Sequence, residues 1–317
     1  MKASLSGAKP RFNLERGLPI LLLLPSLVAI GVFVYGFIGW TGYVSLSQWN
    51  TFVRDLSFAG LDNYRILFSD FRFRADLRNT VVFTVVFTAT CLVIGMLLAC
   101  LLDQRPRGEA FFRNLFLFPM SLSFVVTGVV WQWLLNPSTG VNLLLKKLGM
   151  LALPLWYVDT RVLPGGWSWG QVPLGVPVAL LAVVLAAVWQ MSGFSMAIFL
   201  AALQGIPEEV REAAHIDGAT GWKLYRYVLL PLLWPAAFTV TIVLGHVSLK
   251  VFDLVYAMTG SGAAYVTDMP SVYMFETTFR GNRFAQGAAI SMIMLLMTMA
   301  IFVPYLLWRE RQGDRSD

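Results

Sequence analysis

The chain has 317 residues, of which 57% are hydrophobic and 13% charged, and it carries a formal net charge of +6. Soluble domains run at about 25% charged and about 45–50% apolar, so a soluble core of ordinary composition is excluded. The cations are scattered between apolar blocks instead of forming a basic stripe interleaved with aromatics, which argues against nucleic acid as a partner.

Residues 1–17 read as a cytoplasmic N-terminal tail, with Lys2, Lys9, Arg11 and Arg16 set against Glu15. The first apolar run is Leu18–Tyr43. Its basic flank and the Ala29-x-Gly31 pair look like a secretory signal. The chain, however, stays free of charge from Gly17 to Val53, whereas the apolar part of a signal is only about 7–15 residues long. The run is therefore expected to be a retained first helix.

Five further runs lack Asp, Glu, Lys and Arg: Asn79–Leu102, Asn114–Leu135, Val172–Leu203, Val228–Leu249 and Phe284–Trp308. Each is long enough for a hydrocarbon layer of about 30 Å, which takes about 20 helical residues. Backbone polar groups in lipid must be satisfied within the segment, and the alternation of a membrane barrel is absent. The expected fold is all-α, a polytopic membrane protein of six transmembrane helices.

The cations of the N-terminal segment and of the short connections place both termini inside. The longer segments 44–78, 136–171 and 250–283 then lie outside. The second of these combines Pro137, Pro154 and Pro164 with Trp156, Trp167 and Trp169, and tryptophans suit the headgroup layer. Cys91 and Cys100 sit nine residues apart in one run, on opposite faces of a helix and about 13 Å apart along its axis. They cannot pair within that helix. Two histidines and no Cys/His cluster leave no metal-site signature.

Between the fourth and fifth runs, residues 205–219 read as a short helix with both ends marked. Pro207 suits the first helical position, where a missing N–H costs nothing. Glu208 and Glu209 put negative charge in the first turn, Ala213 and Ala214 favour helix, and Gly218 fits the left-handed position that closes it. A helix of about eleven residues spans roughly 16 Å, too short to cross a bilayer.

This stretch, Glu212-Ala213-Ala214-x3-Gly218-x9-Val228-x-Leu230-Pro231, resembles the EAA loop of binding-protein-dependent ABC importer permeases. Val228 stands where the pattern usually has Ile, and Asp217 and Ala219 extend the likeness. Gly60-Leu61-Asp62-Asn63-Tyr64 with Asn79-Thr80 is similar to the entry of the permease domain in the carbohydrate, maltose-type branch. Lys250-Val251-Phe252-Asp253 to Thr259-Gly260-Ser261-Gly262 is similar to its outer loop, departing at Ser261 and Ala263. Gly287-Ala288-Ala289 matches a small-residue run at the start of the last helix.

The resemblance implies a type I ABC importer transmembrane domain: a permease core over 79–308, a cytoplasmic coupling loop over 205–227 and a short tail over 309–317. It implies that Glu212, Ala213, Ala214, Asp217 and Gly218 contact a cytoplasmic ABC ATPase dimer. It also implies a second permease subunit, a different chain, and an extracytoplasmic solute-binding protein. The substrate path would pass Gln190, Met191 and Phe194 before the loop, and Val247 and Ser248 after it. No cofactor is expected on this chain, since ATP and Mg²⁺ belong to the partner ATPase.

The residues themselves agree with such a division of labour. No G-x-x-x-x-G-K-[ST] phosphate loop occurs, and the runs hold no Asp, Glu, Lys or Arg, whereas ion-coupled carriers place ionisable groups in the membrane. Gln132, Gln190, Ser192, His246, Ser248 and Gln286 stand out among the polar groups within them, each fitted to hydrogen bonding between helices. The alternative function is a stand-alone carrier or channel not powered by ATP, which concentrative uptake without an ATPase would reveal. A membrane-embedded enzyme finds no support, because His215 and Asp217, two residues apart on a helix, point in different directions.

Overall fold

The computed structural model of the chain describes residues 14–313, with side-chain surroundings for 22–304. The expected tails at 1–17 and 309–317 fall outside the described residues at 1–13 and 314–317, and their remaining positions are helical.

In chain order, α1 (Leu14–Ile30) passes through a π turn at Gly31–Gly36 into α2 (Phe37–Ser45). A short α3 (Asp62–Ser69) precedes α4 (Phe71–Asp103), a helix of 33 residues. Then come α5 (Glu109–Leu117), α6 (Phe124–Leu134) and α7 (Val141–Lys147). An antiparallel hairpin of β1 (Val162–Trp169) and β2 (Val172–Pro177) leads into α8 (Val178–Gln204). The rest is α9 (Glu208–Ile216), α10 (Trp222–Leu224), α11 (Leu230–Leu232), α12 (Trp234–Leu249), α13 (Asp253–Met258), α14 (Pro270–Phe275) and α15 (Phe284–Gly313).

Among the described residues, four helices are long and apolar enough to cross a membrane, or up to six if two bent pairs each count as one span. The third expected span, Asn114–Leu135, is one of those pairs. Its halves meet at 98°. Pro119 removes a backbone N–H inside the run, and Ser123 caps the second half by accepting the Val126 N–H at 3.2 Å. The fifth span bends by 64° between Leu232 and Trp234, flanked by Pro231 and Pro235.

Two boundaries move. The fourth span begins at Val178 because Val172–Pro177 is a strand bounded by two prolines, so the mostly helical fold carries a hairpin that the apolar run concealed. The second begins at Phe71, not Asn79: Asp70 accepts the Arg72 N–H at 3.0 Å and starts the helix eight residues early. Four charged residues, Arg72, Arg74, Asp76 and Arg78, thereby enter the long helix.

The centre of the bundle is the packing of α4 on α8. Small residues let the two backbones approach, as lipid-embedded helices require. A Cβ on Gly95 would overlap Ser195 and crowd the Met196 nitrogen. Phe83 and Phe87 stack at 5.3 Å within the same core, which also takes in Phe199, Leu203, Leu229 and Leu244. Cys91 is buried there, Cys100 is half-buried, and both are free thiols. At the far end of the bundle, Asn63 donates to the carbonyls of Ser45 and Ser47 at 3.0 and 2.8 Å. Asn79 donates to Tyr265 and Asp268 carbonyls at 2.8 and 2.9 Å. Both asparagines of the motif at 60–64 and 79–80 thus tie down the chain around them.

Candidate functional site

The short helix α9 covers nine residues, Glu208–Ile216, with Pro207 in the capping position just before it. Its end closes as the sequence required. Gly218 takes φ +81°, Asp217 N–H bonds to the Ala213 carbonyl at 3.0 Å, and Ala219 N–H bonds to Ala214 at 2.8 Å. The left-handed turn spends the last carbonyls of the helix and turns the chain back toward α10.

Glu212, Ala213, Asp217 and Gly218 lie on the exposed side. Ala214 points the other way and is buried in the main core of the chain. The two alanines therefore divide: one anchors α9, the other is presented. Ile216, 87% exposed, and Trp222, 65% exposed, extend the presented surface with apolar area.

Arg211 fixes α9 from beneath. Its Nη1 donates to Asp103 Oδ2 at 3.0 Å and its Nη2 to Asp103 Oδ1 at 3.2 Å, a two-pronged pair. Nη2 also donates to the Leu203 carbonyl at 3.0 Å, and Tyr225 Oη donates to Asp103 Oδ2 at 2.9 Å. Burial disfavours the Arg211 charge, but the hydrogen bond and charge of Asp103 more than offset this and hold the guanidinium above its ordinary range. One carboxylate thus gathers the ends of α4 and α8, the middle of α9 and the π turn after α10. Beside it is a polar cleft of about 330 Å³, lined in part by Asp103, Arg105, Gln204, Glu208 and Arg211. Sequence reading missed this clasp. The available signal was the acid that closes the second apolar run, Asp103.

The five path candidates are not gathered in one place. Gln190 is buried, and its Nε2 donates to the Leu122 carbonyl at 2.7 Å, at the break between α5 and α6. Its Oε1 has no partner among the described residues. Met191 is buried beside it, and Phe194 lines the same core half-exposed. Ser248 faces α4 instead, with its Oγ 2.8 Å from Thr84 Oγ1 and 2.8 Å from the Gly245 carbonyl. Val247 is half-exposed.

A separate cavity of about 650 Å³ lies where Leu153, Leu155, Trp156 and Arg161 cover the first turns of α8 at Val178, Leu181 and Leu185. Among the described residues no group of three or more His, Cys, Asp or Glu could hold a metal. The helix α9 is exposed on one side and joined on the other, through Asp103 and the Leu203 carbonyl, to the ends of two long helices.

Residues 66–314 match the model of the family described as binding-protein-dependent transport system inner membrane component. A probable ABC transporter permease protein of Pyrococcus horikoshii is 37% identical, covering 93% of this chain and 97% of that relative. The xylose/arabinose import permease protein XacH of Haloferax volcanii is 35% identical over 90% of this chain and 86% of its own. Among solved structures, a bacterial ABC transporter involved in import of the acidic polysaccharide alginate superposes with a TM-score of 0.77 at 19% identity. That match covers 94% of this chain and 97% of the other, a likeness of fold.

Proposed function

The chain belongs to the family of binding-protein-dependent transport system inner membrane components, and from that premise we propose that it carries a sugar, or a related polyol or glycoside, into a prokaryotic cell. As a member of that family it is a multi-pass membrane permease subunit and not an enzyme. In this reading it works beside a second permease chain, receives cargo from an extracytoplasmic solute-binding protein, and alternates between inward- and outward-facing states. A dimer of cytoplasmic ATPases supplies the energy and uses the ATP and Mg²⁺. Both termini and α9 lie on the cytoplasmic side. The xylose and arabinose named for the Haloferax relative support a carbohydrate cargo.

One observation carries the coupling role. The exposed face of α9 presents Glu212, Ala213, Asp217 and Gly218, while Arg211 and Ala214 bind its other face to the ends of α4 and α8. A helix held this way passes a push from a docked protein into two spans, where a floppy connector would absorb it. Glu212 supplies the polar contact, Ala213 allows close approach, and Gly218 turns the chain away.

Reconstitution with the partner subunits tests this. Glu212→Ala combined with Gly218→Val should lower both co-purification of the ATPase and cargo uptake by at least about tenfold, the loss of roughly 1.4 kcal/mol of docking energy. Unchanged association and uptake would remove α9 from the coupling role. For the path, Phe194→Ala and Val247→Ala should change cargo preference more than Gln190→Ala, since Gln190 is buried and its Nε2 is spent on the Leu122 carbonyl.

A further inference from the structure

The end of α4 remote from α9 holds charge that a bundle solvated by lipid must account for. Arg72, Asp76 and Asn79 lie one turn apart along one face of this helix. Both outer members of the row grip the same residue. Arg72 Nε donates to Asp268 Oδ2 at 2.6 Å, and Asn79 Nδ2 donates to the Asp268 carbonyl at 2.9 Å. Thr80, one turn beyond Asp76, sets its hydroxyl 3.7 Å from the Met269 sulfur. Asp76 therefore sits between these two grips, on the face of α4 that meets Asp268.

Both residues are 0% exposed. Asp268 is provided for: besides Arg72, its Oδ1 accepts the Met269 N–H at 2.9 Å. Asp76 is not, since neither Oδ1 nor Oδ2 meets a donor among the described residues. The nearby guanidinium groups are engaged elsewhere. Arg72 Nη2 donates to Glu276 Oε2 at 2.7 Å, and Arg78 serves Asn79 Oδ1 and the Pro173 carbonyl. Two carboxylates are both acceptors, so contact between them becomes a hydrogen bond only when one keeps its proton. A buried carboxylate without a donor costs far more than its neutral form.

We propose that Asp76 is held as a neutral carboxylic acid in the folded protein and donates its O–H to Asp268, so that one shared proton fastens the segment before α14 to the start of α4. The proton is the ligand of this site. Acids crowd it from every side: Asp70 and Asp76 on α4, Asp268 on the facing segment, and Glu276 just after α14. Arg72 sits among them, with Arg78 on the same helix and Arg280 3.6 Å from Glu276. Tyr273 Oη donates to Asp70 at 2.6 Å, and the Tyr265 ring lies 4.9 Å from the Arg72 guanidinium. Removing the shared proton leaves two buried carboxylates facing each other with no hydrogen between them. The segment then separates from α4, and this end of the bundle loosens in alkaline solution.

Infrared spectroscopy of the full chain in lipid vesicles tests the proton directly, whether or not the transport reading holds, because it needs neither cargo nor ATPase. The wild-type protein at neutral pH should show the carbonyl stretch of an un-ionised carboxylic acid, shifted by ¹³C-labelled aspartate, missing from Asp76→Asn, and fading as the pH rises. Asparagine offers an N–H donor in the same shape. The D76N transporter should accordingly keep neutral-pH uptake within about twofold and resist the several-fold alkaline decline of the wild type. Absence of the labelled band from the wild-type protein overturns the proposal, even if D76N does not assemble. A D76N transporter that declines with pH as the wild type does overturns it equally.

Discussion

Arg211 and Asp103, separated by 108 residues of sequence, meet through two hydrogen bonds of 3.0 and 3.2 Å. The pair converts a nine-residue surface helix into a rigid extension of α4. Asp103→Ala would leave the Arg211 guanidinium, 15% exposed, and the Tyr225 hydroxyl without their acceptor. The expected cost is roughly 1–3 kcal/mol, concentrated at α9. Hydrogen exchange should speed up over residues 208–219 while the amides of α8 stay protected. Tyr225→Phe should cost only about 1 kcal/mol.

Arg72 does for the other end what Asp103 does for this one. It bonds Asp268 at 2.6 Å and Glu276 at 2.7 Å, and its guanidinium lies 4.4 Å from the Tyr273 ring. Breaking a buried pair by removing one partner costs about 3–5 kcal/mol. Arg72→Ala should therefore lower the thermal midpoint of the purified protein far more than Arg65→Ala, whose pair with Asp62 is exposed on both sides and contributes about 0–1 kcal/mol.

The same cluster sets a pH dependence. Burial raises the Asp268 carboxyl, and Glu276 adds to this. The hydrogen bond and charge of Arg72 and the Met269 N–H oppose it, leaving the group pushed up from 3.8 to about 6. Between those values the folded state keeps a proton that the unfolded chain gives up. The contribution of this group to stability is therefore greatest at low pH and falls as the pH rises through that window. The gap in thermal midpoint between wild type and Asp268→Asn should narrow steadily from pH 4 to pH 6.

Glycines sort by what surrounds them. A Cβ on Gly193 would run into the Phe116 carbonyl, whereas one on Gly245 or Gly218 meets nothing within 4 Å. Gly193→Ala should cost up to about 3 kcal/mol by forcing α8 away from α5. Gly245→Ala should stay within about 0.5 kcal/mol of wild type. At Gly218 the penalty is conformational alone, about 1–2 kcal/mol for a side chain at φ +81°. Thermal unfolding in detergent checks all three.

The sequence by itself determined the solvent of this protein, the number and order of its apolar segments, and the short capped helix between the fourth and fifth. Charge-free runs of span length and the Glu208, Glu209 and Gly218 end signals are local properties, readable without knowing what packs where. It also carried the family pattern at residues 212–231. Only the tertiary structure decided where the runs break, because a break between α5 and α6 leaves backbone groups that others must take: Ser123 takes the Val126 N–H, and Gln190 bonds the Leu122 carbonyl so left over, from 68 residues away. Likewise Asp70, Arg72 and Asp76 read as ordinary loop charges until α4 extends through them and buries Asp76 against Asp268. Pairing across 100 to 200 residues leaves no periodic trace in a single sequence, and that is why both clasps, at Asp103 and at Arg72, had to be seen in three dimensions.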